Sequence, residues 1–315
     1  MNLQQLEYIV AVDRLRHFAK AAGYCNVTQP TLSAMIQKLE DELGLQIFDR
    51  TAHPVITNDN ATEVIAQAKE VLQQVRILRD KANDARIEMK GELILGVIPT
   101  IAPYLMPLFL FDFLKQFPQV KVVIREFHTA VILEKIRLGE LDAGIVATPL
   151  DENGFISRRL YLEPLKLYVS KLEEAAKNIY VLPTEIDASR IWMLEEGNCL
   201  RNQFINLCNL KSSHLKPTNL DYTAGNFETL VQMIDRGGGM TLLPELAIQQ
   251  LNEDRKTQVR EFTPPQPVRE VSLVFMRQYA KQKINEALVN FVRDKMRDIL
   301  PLQTELNNEA RIIQI

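Results

Sequence analysis

Cys199 and Cys208, nine positions apart, with Arg201 two residues after the first, are the residues best equipped for chemistry in this chain. A thiol reacts as its thiolate, and a nearby guanidinium favours that form. The run from Cys199 through Phe204 to Cys208 suits a helix. As one helix it would separate its ends by about 13 Å, whereas a disulfide needs Cα atoms within ~7 Å. The two sulfurs can join only if the segment refolds, which is the outline of a redox switch. The plainer alternative is two small apolar residues on a helix that never meet, the more frequent situation for an arbitrary intracellular pair.

Bulk properties narrow the setting. A chain of 315 residues is long enough for two or three domains. With 46% hydrophobic and 24% charged residues it reads as a soluble globular protein. A net charge of −3 gives no overall attraction to nucleic acid or membrane, so any DNA binding must be local. The start, Met1-Asn-Leu-Gln-Gln-Leu-Glu-Tyr8, lacks the basic and apolar blocks of a signal peptide. The most apolar stretch, 101 to 117, is broken by Pro103, Pro107, Asp112 and Lys115. The expectation is a cytoplasmic protein with no membrane partner. Three cysteines in such a chain argue against a structural disulfide framework, so any disulfide should be conditional. His17, His53, His128 and His214 show no ligand spacing toward a cysteine, so neither metal nor cofactor is expected. Gly237-Gly238-Gly239 lacks phosphate-loop spacing and reads as a helix cap and turn.

The N-terminal fifth holds three helices. Leu3, Leu6, Ile9, Val10 and Val12 mark the first, over residues 2 to 14, and Phe18 to Ala22 the second. Thr28 is placed to cap a third, with Pro30 in its first turn and Gly44 after its end. Leu32, Met35, Ile36, Leu39 and Leu43 line one side of it; Gln29, Thr31, Ser33, Gln37 and Lys38 line the other. This pattern reads as helix-turn-helix, whose recognition helix sets its N-terminal residues against base edges. Residues 46 to 50 and 55 to 57 read as a two-stranded wing. Residues 1 to 58 contain five Lys/Arg (Arg14, Arg16, Lys20, Lys38, Arg50) against six Asp/Glu (Glu7, Asp13, Glu40, Asp41, Glu42, Asp49). Phosphate anchoring must then come from a few residues, hydroxyls and helix N-termini. An apolar stripe from Val64 to Ala82 predicts a helix over 59 to 89, ~45 Å long, with a coiled-coil partner. Further on, strand and helix alternate: strands at 92–98, 120–124, 141–147, 165–169, 191–194, 240–243 and 271–275, and helices at 103–117, 129–138, after Cys199, at 227–236 and 281–299. This predicts an α/β unit with a largely parallel sheet.

Ala21-Ala22, Val27-Thr28-Gln29-Pro30-Thr31-Leu32-Ser33, Ile36, Leu39-Glu40, Leu43-Gly44, Ile47-Phe48 and Arg50 closely resemble the winged-helix signature of LysR-type regulators. The resemblance implies a winged helix-turn-helix over 1–58 and a dimerising linker helix over 59–89. It also implies a two-lobed, periplasmic-binding-protein-like sensor domain over 90–300, with its second lobe at about 163–267, and a tail over 301–315. DNA contacts would come from Thr28, Gln29, Pro30, Thr31, Ser33, Gln37, Lys38 and Arg50. Gly96 to Pro107, Thr129, Gly139-Glu-Leu-Asp142, Leu194 to Gln203 with Cys208, Met240 to Pro244 and Arg269 narrow the likeness to the peroxide-sensing members of that family. They imply Cys199 as peroxidatic nucleophile, Cys208 as resolving thiol, Arg201 and Arg269 as charge stabilisers, and Thr100 and Thr129 as peroxide-binding hydroxyls. One departure is Asn198, where those relatives often carry His. The implied partners are double-stranded promoter DNA, RNA polymerase, hydrogen peroxide and copies of this chain, as a homodimer or homotetramer. The implied role is a regulator, not an enzyme. The alternative within the family is a regulator that binds a small co-inducer between the lobes and makes no use of its thiols.

Each residue has a plainer role available. Thr100 and Thr129 could cap the helices that follow, Arg201 and Arg269 could be solvated charges, and Cys208 could be core. Cys25 in the head reads as packing.

Overall fold

The structure, a computed structural model, describes residues 1–84, 89–150, 153–178, 180–183, 186–195, 199–208, 224–276, 281–300 and 310–313. It divides into two compact units, residues 1–85 and 86–315.

In the first unit, α1 (Leu3–Leu15), α2 (Phe18–Tyr24) and α3 (Gln29–Leu43) surround a core of Leu6, Ile9, Val12, Leu32, Ile36, Leu39 and Phe48. The local chemistry acts as the sequence suggests. Thr28 Oγ1 accepts the Thr31 backbone N–H, and Gly44 caps α3 at φ +63°. The wing is shorter than expected, with β1 (Phe48–Asp49) antiparallel to β2 (Ile56–Thr57). The next helix, α4 (Thr62–Asp84), starts after a 3-10 turn at Asp59–Ala61. The last part of the expected helix, residues 85–88, lies outside the described residues. Asp13 on α1 ties this unit together: it pairs with Lys69 of α4 at 3.0 Å and accepts from Thr57 of β2 at 2.8 Å.

The second unit runs β3 (Gly91–Val97), α5 (Ala102–Gln116), β4 (Val120–Glu126), α6 (Thr129–Arg137), β5 (Ala143–Thr148), β6 (Phe155–Val169) and β7 (Tyr180–Val181). It continues with α7 (Cys199–Leu207), α8 (Phe227–Gly237), β8 (Met240–Pro244), α9 (Glu245–Gln249), α10 (Glu253–Lys256), β9 (Val259–Phe262), β10 (Gln266–Met276), α11 (Gln282–Ile299) and β11 (Ala310–Ile312). Two cores result. One packs α5, α6 and α11 on β3, β5 and parts of β6 and β10; the other gathers α7, α8 and α9 on β8 and the far end of β6.

The sheet is mixed rather than largely parallel. β3, β4 and β5 pair in parallel, but β6 and β10 are long antiparallel partners that pass through both lobes. β6 pairs with β10 along its first part and with β8 along Leu165–Val169. The expected strand at 191–194 is reduced to two isolated bridges, Ile191 to Met240 and Leu194 to Ala224. The chain also continues past α11 into β11, which pairs in parallel with the start of β10. No helix among the described residues is long and apolar enough to cross a membrane.

The triple glycine is a turn, as its placement suggests. Gly238 caps α8 at φ +80°, and Gly239 follows at φ +94°. A Cβ on Gly239 would stand 2.5 Å from the Arg190 carbonyl oxygen. Gly239→Ala therefore combines a left-handed backbone with a backbone clash, and is expected to cost about 1–3 kcal/mol. Urea unfolding of the full chain measures it, and a change below ~0.5 kcal/mol, the range of neutral surface substitutions, would contradict the geometry.

Candidate functional site

Cys199 is the first residue of α7, the end of a helix where the dipole favours a thiolate. The structure describes only the backbone of Cys199, and Asn198 lies outside the described residues. At the other end, the Cys208 N–H continues the helical ladder to the Phe204 carbonyl at 3.1 Å. Cys208 is a free thiol buried among Leu200, Phe204 and Leu207, and burial pushes its pKa up to about 12. The nine steps from one cysteine to the other thus span about 13 Å of helix, too far for a disulfide. Arg201 donates from Nη1 to the Leu194 carbonyl at 3.3 Å, holding the first turn of α7 to the preceding segment.

Arg269 is not a surface charge. Strand register sets it directly across from Glu163, and both side chains are essentially inaccessible to water. Glu163 Oε2 accepts from Arg269 Nε at 2.8 Å and lies 2.7 Å from Nη2. The other oxygen, Oε1, accepts the Leu246 N–H in the first turn of α9 at 2.9 Å. Arg269 then reaches Thr100: Nη2 donates to its carbonyl at 3.2 Å and Nη1 to its hydroxyl at 3.4 Å. Thr100 does not cap α5, whose cap position is Ile101. Two oppositely charged groups, paired through one carboxylate oxygen and buried from water, thus fasten the start of α5 to both crossing strands and to α9. Glu163 balances the Arg269 charge, so the buried pair carries no net charge.

Tyr104 of α5 touches both cores and packs its ring on Phe227 with centroids 6.0 Å apart. Burial, with Glu228 adding to it, raises its pKa to about 12, so its hydroxyl stays a donor. Tyr161, fully buried, has its pKa pushed well up by burial, and its hydroxyl has no hydrogen-bond partner among the described residues. At the rim, His128 Nε2 lies 3.2 Å from Glu195. That contact joins the residue before Thr129, which opens α6, to the segment leading into Cys199. The structure thus brings Thr100 and Arg269 together, sets Thr129 beside the His128 bridge, and turns Arg201 to Leu194.

The sequence reading gives no role to Glu163, Tyr104, Glu195 or Gln203, although two left a signal. Glu163 is a carboxylate inside the apolar run Leu160-Tyr161-Leu162-Glu163-Pro164-Leu165, and Gln203 shares the inward stripe of Leu200, Phe204 and Leu207. A hollow of about 390 Å³ lies on the first lobe between α5 and α11, near Phe117 and Phe291, at the opposite end of α5 from Thr100. Among the described residues no group of three or more His, Cys, Asp or Glu could hold a metal ion.

In the head, Thr28, Gln29, Pro30 and Thr31 are exposed at the start of α3, Gln37 and Lys38 are exposed about two turns further on, and Ser33 is half-buried. The Thr28 and Thr31 hydroxyls are 2.8 Å apart, and Gln37 donates to Asp41. Arg50 serves the architecture: it donates to Ser33 Oγ at 2.9 Å, pairs with Glu40 at 2.7 Å and lies over the Phe18 ring. Glu40, 4% exposed, also accepts the Ile47 and Phe48 N–H groups. Glu40→Ala would strip two buried N–H groups of their acceptor, at about 1–3 kcal/mol each, and release the wing. A several-fold loss of DNA affinity is expected in a gel shift, and unchanged affinity and stability would contradict the bracket.

A helix-turn-helix head, a long helix and a two-lobed α/β unit on one chain are the parts of a DNA-binding regulator. Residues 3–61 match the bacterial regulatory helix-turn-helix protein of the lysR family, and residues 86–297 match the LysR substrate binding domain. The chain belongs to the LysR family of regulators. Within it, the chain is 35% identical over 303 residues to the hydrogen peroxide-inducible genes activator of Haemophilus influenzae, covering 95% of this chain and 99% of that one. It is 34% identical over 299 residues to the DNA-binding transcriptional dual regulator OxyR of Escherichia coli, covering 94% and 96%. Its fold is similar to that of a full-length OxyR variant from Pseudomonas aeruginosa, with a TM-score of 0.75 and 30% identity, covering 93% of this chain and 98% of that one.

Proposed function

We propose that this chain is a peroxide-responsive transcriptional regulator that reads hydrogen peroxide through Cys199 and Cys208. The observation that carries the proposal is α7 itself: a cysteine at the helix start, a free buried cysteine at its end, and about 13 Å between them. The likeness to peroxide-inducible activators over nearly the whole chain supports it.

The Cys199 thiolate attacks one peroxide oxygen; an S–O bond forms, the O–O bond breaks, and the departing hydroxide is protonated to water. The Cys208 sulfur then attacks the sulfenic sulfur, forming the S–S bond and releasing a second water. Two thiols lose two electrons and peroxide gains them. Arg269, with Thr100 and Thr129, supplies donors to the peroxide and the leaving oxygen, and Arg201 favours the thiolate. The disulfide forces α7 to refold, and the repacked second lobe resets the spacing of two DNA-binding heads. Cellular thiols reverse it. In the head, Thr28, Gln29, Pro30, Thr31, Gln37 and Lys38 face promoter DNA, while Arg50 and Ser33 hold the wing. α4 pairs two copies as a dimer, two dimers make a tetramer, and RNA polymerase is the downstream partner. The chain acts stoichiometrically as a regulator rather than by turnover.

Footprinting on promoter DNA tests this reading. Brief peroxide is expected to change the footprint and a dithiol to restore it. A footprint indifferent to peroxide but altered by a small metabolite would move the assignment to a co-inducer bound between the lobes.

A further inference from the structure

The last described residues of the chain lie on the helix that must refold. β11 pairs in parallel with the start of β10, setting Gln266 opposite Ala310 and Val268 opposite Ile312, and the Ile313 N–H donates to the Val268 carbonyl at 3.0 Å. The Ile313 side chain is buried in the same core as Leu200, Phe204, Leu207 and Cys208. Its carbonyl accepts from Gln203 Nε2 at 3.2 Å. Gln203 is 0% exposed, and its Oε1 has no partner among the described residues. Ile313 therefore supplies the described hydrogen bond of a fully buried amide at the middle of α7, four residues after Cys199 and five before Cys208.

We propose that β11 with Ile313 is a strap that holds α7 in its reduced, helical form, and that forming the Cys199–Cys208 disulfide releases it. The inference rests on the disulfide reading given above. Bringing the two Cα atoms from about 13 Å to within ~7 Å requires α7 to unwind between them. Gln203 lies in that span, so its side chain cannot keep its place under Ile313. Strap and disulfide exclude each other, and two mutually exclusive states are linked: whatever weakens the strap favours the disulfide by the same factor. A strand of only three residues is the kind of element that opens below the global unfolding free energy. Hydrogen peroxide is the oxidant for the disulfide, and the release step needs no further reactant.

Two variants test it: a chain ending at residue 309, and Gln203→Ala in the full chain, which keeps the C-terminal strand should the truncation fold poorly. In the reduced state, both are expected to raise the rate at which a maleimide labels Cys208 by at least five-fold. In glutathione buffers, both should hold the Cys199–Cys208 disulfide at a several-fold more reducing ratio than the parent. In the parent, the amides of residues 311–313 should lose hydrogen-exchange protection on oxidation. Equal protection of those amides in the reduced protein and in protein whose disulfide is proven by peptide mapping would overturn the strap and leave the disulfide reading intact. Unchanged Cys208 labelling in both variants would overturn it as well. If no disulfide forms in any chain, the reading of the site fails first and the release step falls with it.

Discussion

Cys199→Ser is expected to leave a chain that binds promoter DNA normally and no longer answers peroxide. A hydroxyl is a far weaker nucleophile than a thiolate at neutral pH, so oxidation at this position should fall by a factor on the order of 10⁴ or more. The head folds around its own core of Ile9, Leu32, Ile36 and Phe48 and is independent of the change. DNA affinity in reductant should therefore match the parent, while the peroxide-induced change in footprint disappears. Cys208→Ser should behave differently. The first oxidation proceeds and halts at the sulfenic acid, detectable with a dimedone probe. A Cys199→Ser chain that still switches fully with peroxide would remove Cys199 from the mechanism.

Arg269→Ala should produce the largest loss of stability. It leaves the Glu163 carboxylate, 0% exposed, with its Leu246 N–H bond and without its counter-charge. Breaking a buried pair from one side costs about 3–5 kcal/mol, which lowers Tm on the order of 10 °C for a unit of this size. The same change removes the donors to Thr100, so the oxidation rate should fall together with stability. Arg269→Met combined with Glu163→Leu separates the two effects. It replaces the pair by apolar groups and should recover most of the stability, because a buried ion pair contributes little net of its desolvation. It should not recover the oxidation rate. If the double variant reacts with peroxide as fast as the parent, Arg269 is architecture alone.

The parts of the fold legible in the sequence are those set by local chemistry. The Thr28 cap, Pro30 in the first turn and Gly44 at the end bound α3 because each satisfies or terminates backbone hydrogen bonds in place. The strand limits at β6 were not legible. Pro164 cannot donate to a ladder, and the expected strand begins only after it, at 165, yet Pro164 sits within β6 opposite Val268, where the strand passes from one lobe to the other. The parallel sheet expected from alternation misses the same feature, since β6 and β10 earn no local signal for exchanging partners midway. Glu163 and Arg269 are 106 residues apart, so their pairing follows only from strand register. β11 is three residues long, too short for any periodicity. Cys199, Cys208 and Arg201 stood out because reactive types fell close together on one segment. Gln203 did not, because a lone amide on an apolar stripe becomes informative only when Ile313 is seen above it.

Whether Cys199 and Cys208 join is decided by peptide mapping by mass spectrometry after brief, near-stoichiometric hydrogen peroxide, with Cys199→Ser in parallel. The expected result is a Cys199–Cys208 disulfide that forms within seconds, reverses with a dithiol and is absent from the variant, with Cys25 unmodified. Two free thiols at 199 and 208 after peroxide, in protein that still binds promoter DNA, would contradict it.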